Sequence, residues 1–329
     1  MKKQKRYIDA KLKTNQQNQI MATEKNLQSY QSGHLQVADN HKLYYELYGN
    51  PKGIPVLFLH GGPGAGFGDK DKAFFDKRRY NVLFLDQRGA SRSIPFGSIE
   101  NNTTQDLVDD INKILDHLNF DKVYVFGGSW GSTLALVYAI HHPGRVLGLI
   151  LRGVWLANKY AIDHYITGGI KEFFPEVWER FAKLVKPDEN PVQYYLKNML
   201  SDNKEISDKF AYEWAYYEMS FYTINKISDP AEALKTFSHK SLAILEAHFI
   251  ANNCFIPEDF IMKNIDKIKH IKTTIVQGRY DFICPPVQAF RLHEGLENST
   301  LNIVNSGHSA SDPETKKKLK SELRRITTL

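Results

Sequence analysis

The chain is poor in cysteine. Two in 329 residues, Cys254 and Cys284, fit neither a C-x-x-C pair nor a disulfide framework, which excludes a small cross-linked secreted scaffold and points to a reducing compartment such as the cytoplasm. Long apolar runs are also missing: none approaches the roughly 20 residues that cross a bilayer, so no membrane span is expected. Residues 14–31 are rich in Asn and Gln and lack the apolar stretch of a secretory signal. No His, Glu or Cys cluster has ligand spacing such as H-E-x-x-H, so neither metal nor cofactor is expected. No internal repeat is visible.

A basic body is missing too. The net charge is +6, but residues 1–13 hold Lys2, Lys3, Lys5, Arg6, Lys11 and Lys13 against Asp9 alone. The remainder is nearly neutral, so charge gives no reason to expect a nucleic-acid partner. Residues 1–29 read as a mostly disordered extension. What the chain does have is length and 42% hydrophobic residues, enough for a large core with an inserted lobe.

Apolar, β-branched runs at Leu43–Leu47, Pro55–Leu59, Asn81–Leu85, Lys122–Phe126, Val146–Leu151 and Thr273–Gln277 predict strands. Between them Leu107, Ile111, Ile114 or Leu115, and Leu118 recur at helical spacing behind a Thr103 or Thr104 cap. Strands alternating with helices imply an α/β fold with a mostly parallel sheet covered on both faces. From Trp155 to about Pro257 the strand rhythm stops and Tyr, Phe, Trp, Lys and Glu dominate, as in Phe210–Glu218 and Ala231–Ile250. The expected organisation is a core of residues 30–154 and 258–329 with a helical cap at 155–257 over the strand ends.

Gly127-Gly128-Ser129-Trp130-Gly131 lies between the strand Val123–Phe126 and the helix-like Thr133–Ile140. This is a G-x-S-x-G turn in a strand–turn–helix setting, where a side chain two residues before or after the serine would meet neighbouring backbone. Asp281 follows a strand in Gly278-Arg279-Tyr280-Asp281, and His308 follows Leu301–Val304 in Ser306-Gly307-His308-Ser309. Nucleophile, acid and histidine in that order resemble the α/β-hydrolase arrangement, with His308 as base to Ser129 and Asp281 holding the imidazole. A further strand ends in His60-Gly61-Gly62-Pro63-Gly64. Its Gly62 N–H and the Trp130 N–H are the expected oxyanion donors. No phosphate-binding glycine pattern fits residues 61–68, so a nucleotide site is not expected.

These segments, with Asp86-Gln87-Arg88-Gly89, His142-Pro143 and Leu151-Arg152-Gly153, resemble the prolyl aminopeptidase (proline iminopeptidase) family of α/β-hydrolase serine peptidases from about Tyr30 to the end. The resemblance implies a cytoplasmic enzyme that removes an N-terminal proline from small peptides. It also implies that Glu218, in Trp214-Ala215-Tyr216-Tyr217-Glu218, and Glu246, in Ile244-Leu245-Glu246-Ala247-His248, receive the substrate's free amino end. Arg152, Trp155, Tyr165 and Cys284 align with further pocket positions. The chain departs from the pattern at Trp155, where the family usually has Phe, at Ser91, which replaces a glycine, and at Leu245, which replaces an Arg. Two alternatives stay open on the residues alone: a small-acyl esterase or amidase, which would not need the two glutamates, and a hydrolase-fold binding protein without turnover.

If the first residues lie outside the core, deleting residues 1–20 leaves the melting temperature and turnover nearly unchanged while lowering the pI. A loss of several degrees would show that the extension packs on the fold.

Overall fold

The computed structural model describes residues 27–224, 229–235 and 239–326; most of the N-terminal extension lies outside the described residues. The end of that extension is corrected by the structure. Leu27 packs against an aromatic cluster of the core, and the Ser29 hydroxyl donates to the buried Glu46 carboxylate, so the ordered body begins before Tyr30.

Eight strands form one sheet: β1 (Gln31–Ala38), β2 (His41–Gly49), β3 (Ile54–Leu59), β4 (Tyr80–Leu85), β5 (Val123–Ser129), β6 (Val146–Val154), β7 (Thr273–Gly278) and β8 (Ser299–Val304). Their order is β1-β2-β4-β3-β5-β6-β7-β8. β1 and β2 run antiparallel to their neighbours, and all pairings from β4 to β8 are parallel. The central strands are continuous apolar runs because both faces are covered; every residue of β4 is buried. Side chains alternate between the faces. Leu57, Leu83, Val125 and Leu149 point to one apolar layer, whereas Val56, Phe58, Phe84 and Phe126 point to the other.

The first layer is closed by α2 (Thr104–His117) and α3 (Trp130–His141). α2 opens on a capping box: the Thr103 side chain accepts from Asp106 N–H, and Asp106 accepts from Thr103 N–H. The second layer is closed by Phe74 and Phe75, just beyond the short α1 (Asp69–Lys72), and by Leu319 and Leu323 of the C-terminal α13 (Pro313–Arg325).

Among the described residues between β6 and β7 there are only helices and turns. They are α4 (Lys159–Ile166), α5 (Gly169–Phe173), α6 (Pro175–Ala182), α7 (Pro191–Met199), α8 (Lys204–Met219), α9 (Pro230–Leu234), α10 (Lys240–Ala251) and α11 (Phe260–Lys263), with two 3₁₀ turns. Phe210–Glu218 lies within α8, whereas the stretch from Ala231 to Ile250 divides into α9 and α10. The helices meet the loops at the carboxyl ends of the strands. Ser241 Oγ donates to Gly64 O at 2.9 Å, and Ser309 N–H donates to Tyr222 O at 2.9 Å. The remaining helix, α12 (Pro286–Gly295), links β7 to β8.

The turn between β5 and α3 accepts no larger residue at two positions. A Cβ on Gly127 would lie 2.2 Å from Gly131 O, and one on Gly131 would lie 2.2 Å from Leu59 O. Gly127→Ala and Gly131→Ala are each expected to destabilise the fold by about 2 kcal/mol or more, read as a drop in melting temperature. Gly144→Ala, at a position open to space, should melt with the parent. Equal melting of all three would disprove the steric account.

Candidate active site

Ser129 closes β5 with φ 57° and ψ −130°, a conformation that costs a residue with a side chain about 1–3 kcal/mol. The turn is pinned through the next residues: Ser132 Oγ donates to Ser129 O at 2.6 Å and accepts from Trp155 N–H at 3.1 Å. Trp130 is the first residue of α3, so its N–H has no acceptor within the helix. Its indole N–H donates to Gln87 Oε1 at 2.8 Å. The His60-Gly61-Gly62 loop passes beside the serine, since a Cβ on Gly61 would come 3.1 Å from Ser129 Cβ. Gly62 has φ 103°. His60 is buried and its pKa is lowered by that burial. It accepts from Gln87 N–H at Nε2, 3.0 Å away, and its Nδ1 faces Gly61 O at 2.8 Å.

The structure brings His308 and Asp281 together. His308 Nδ1 lies 2.9 and 3.0 Å from the two Asp281 carboxylate oxygens. Every other contact to that carboxylate is a donor: Ile283 N–H at 3.1 Å, Cys284 N–H at 2.8 Å and Gln277 Nε2 at 3.2 Å. A carboxylate so placed accepts only, so the proton of the imidazole sits on Nδ1 and Nε2 carries a lone pair. The tautomer thus follows from the surroundings. Tyr222 packs edge-on to the ring at 5.4 Å.

Arg152 stands on β6 beside Gly128. Its Nη1 is 3.1 Å from His308 Nε2 and 2.9 Å from His308 O. The guanidinium lies against Gly128, where a Cβ would come 2.5 Å from Nη2. Cys284 is buried as well, and its thiol pKa is pushed well up by that burial and by Asp281.

Glu218 on α8 and Glu246 on α10 are both buried. Trp214 Nε1 donates to Glu246 Oε2 at 2.7 Å, and the Tyr165 hydroxyl lies 3.3 Å from Glu218 and 3.5 Å from Glu246. The pKa of Glu246 is raised well above the usual value by burial, then by the Glu218 charge and a hydrogen bond with that residue. Two carboxyl groups in one buried site resist ionising together. Tyr165 is pushed up as well, by burial and by both glutamates. Glu218 is within electrostatic reach of Cys284, whose N–H donates to Asp281, and of Tyr222, which packs on His308. Trp155 is buried edge-on to Trp130 at 6.5 Å.

Residues 54–315 match the alpha/beta hydrolase fold family. A proline iminopeptidase of Arabidopsis thaliana is 44% identical over 293 residues, covering 87% of this chain and 77% of its own length. One of Neisseria gonorrhoeae is 40% identical, covering 87% and 93%. The chain belongs to the proline iminopeptidase family. Among solved structures, the fold is shared with a proline iminopeptidase of Mycobacterium smegmatis (TM-score 0.61, 16% identity, 90% of this chain and 98% of that one). It is also shared with an esterase of Exiguobacterium antarcticum (TM-score 0.63, 21% identity, 89% and 98%).

Sequence reading of this proline iminopeptidase relative missed Gln277. Its Oε1 accepts from Val154 N–H at 3.0 Å while its Nε2 donates to Asp281 and to Cys284 O, tying β6 to the acid loop. Nothing but its burial inside β7 marks it. Two of the departures noted in the sequence become physical here. Ser91 adopts φ 45°, a left-handed backbone that suits glycine, and Leu245 is buried against Gly89.

The raised Glu246 carboxyl gives a stability signature. Its proton is bound more tightly in the folded state, so above the ordinary value of 4.5 unfolding releases a proton and stability falls as pH rises toward the folded value. Glu246→Gln removes that loss. Its melting temperature should gain on the parent as pH rises above about 5; a constant difference would show that Glu246 titrates normally.

Proposed function

We propose that this protein is a serine aminopeptidase that releases N-terminal proline from short peptides. The observation that carries the reading is the buried Glu218–Glu246 pair, within electrostatic reach of the Cys284 and Tyr222 that touch Asp281 and His308. A generic esterase has no use for two buried carboxyl groups beside its nucleophile, and burying them is costly without a cation. The substrate's N-terminal ammonium supplies that cation at a fixed distance from the first carbonyl, through charge-assisted hydrogen bonds.

In this reading Ser129 Oγ attacks the carbonyl of the terminal proline while His308 Nε2 takes its proton. Asp281 stabilises the imidazolium. The N–H groups of Gly62 and Trp130 receive the oxyanion. His308 then protonates the leaving amine, the C–N bond breaks, and water hydrolyses the acyl-enzyme by the same route in reverse. Residues 155–257 act as a cap domain that admits the substrate, with Tyr165, Trp155, Cys284 and Arg152 around the pocket. The fold family, the peptidase relatives and the motif order support this assignment. The cytoplasm is the proposed compartment, supported by two free, buried cysteines; no helix among the described residues is long and apolar enough to cross a membrane.

Ser129→Ala should lower kcat at least about a thousandfold on a proline chromogenic amide. Survival of activity within tenfold of the parent would reject the nucleophile. Glu218→Gln and Glu246→Gln should each lower kcat/KM roughly ten- to hundredfold on the free N-terminal substrate. On p-nitrophenyl acetate, which brings no cation, the same variants should stay close to the parent. Equal losses on both substrates would remove the ammonium role, and no loss on either would return both residues to structural duty.

A further inference from the structure

We infer that Arg152 is a positioning residue that holds His308 out of play in the unliganded protein, and that its release from Nε2 is a step of every productive encounter. The inference rests on Ser129 and His308 acting as nucleophile and base.

A neutral imidazole whose Nδ1–H points at Asp281 has one lone pair left, on Nε2. That lone pair is where the Ser129 proton must go. In the structure it is occupied: Arg152 Nη1 donates to it from 3.1 Å. The two donors cannot use one lone pair together, so Arg152 on Nε2 and Ser129 on Nε2 are alternative states. The guanidinium also opposes imidazolium formation, because it sets a permanent cation against the ring nitrogen that must become positive.

Arg152 is held in a way that permits release. Among the described residues no carboxylate lies within ion-pair distance of it, and its buried Nε has no hydrogen-bond partner. It rests on Gly128, where a side chain would collide with it, and its Nη1 retains the bond to His308 O at 2.9 Å. A small rotation that keeps this second bond frees Nε2. By contrast, the buried guanidinium of Arg88 is fixed by a carboxylate: it holds Asp110 through two bonds of 2.6 and 2.7 Å. Substrate binding at Ser129 is the event that displaces the guanidinium.

The test uses phenylmethanesulfonyl fluoride, a small neutral reagent that needs no ammonium pocket. Ser129 Oγ attacks the sulfur, the S–F bond breaks, fluoride leaves, and the hydroxyl proton passes to His308 Nε2. The rate is followed by intact mass on the full chain, with Ser129→Ala as the unlabelled control. Arg152→Met should label about tenfold faster than the parent, the size of one lost charge-assisted hydrogen bond. A merely structural role would slow labelling instead. Arg152→Lys keeps the charge on β6 but loses the planar fork; it should also label faster, and it carries the test if the methionine variant does not fold by near-ultraviolet circular dichroism. Folded variants that label at or below the parental rate would overturn the inference. Absence of Ser129 labelling in the parent and in both folded variants would overturn the nucleophile assignment itself, a different failure with a different signature.

Discussion

The backbone of Ser129 is the constraint on which the rest of the site depends. A residue with φ 57° and ψ −130° does not hold that shape alone; the flanking structure over-determines it. β5 is paired on both sides, with β3 and β6, and α3 is buried along nearly its whole length. The chain therefore has to turn within one residue between two immovable elements. Gly127 and Gly131 let the turn pass where any Cβ would strike a carbonyl. The other groups then need only be brought to this point by the ends of neighbouring strands: Gly62 after β3, Asp281 after β7 and His308 after β8.

Beneath the turn, the Asp86–Arg92 loop acts as a rigid strut. Asp86 is fully buried, accepts from Phe67 N–H at 3.0 Å and pairs with Arg92 Nε at 2.7 Å. The Arg92 guanidinium lies over the Tyr44 and Phe67 rings, and Arg88 is clamped on Asp110. Removing one member of such pairs strands a buried charge, so the loop resists deformation. Its product is the placement of Gln87, which touches both His60 and the Trp130 indole and so couples the loop after β3 to the start of α3.

Much of this was legible in the sequence because it is written in local chemistry. The central strands were visible as unbroken apolar runs, and the turn at Ser129 as glycines at fixed offsets. β1 was not seen: Gln31–Ala38 is a polar edge strand with only Leu35 and Val37 turned inward. The signal that would have found it is the two-residue turn Asp39-Asn40 closing a hairpin onto β2. Gln277, Asp71 and Tyr222 were invisible for another reason. Their surroundings are assembled by distant segments, and no spacing in the chain encodes that Asp71 lies within electrostatic reach of Arg152 and Tyr222. Contacts of this kind are a property of the closed fold.

In the proposed reading, the proton that burial and the Glu218 charge hold on Glu246 makes the pocket an ion exchanger. The empty pair already holds one positive charge, so an arriving ammonium does not add a charge to a bare anionic site; it replaces H⁺, and the local charge is unchanged by the swap. Affinity for the cation is then measured against proton affinity, and a ligand whose terminal nitrogen is acylated and neutral has nothing to exchange. In that reading, selectivity for a free amino terminus rests on the identity of the counter-ion as well as on shape.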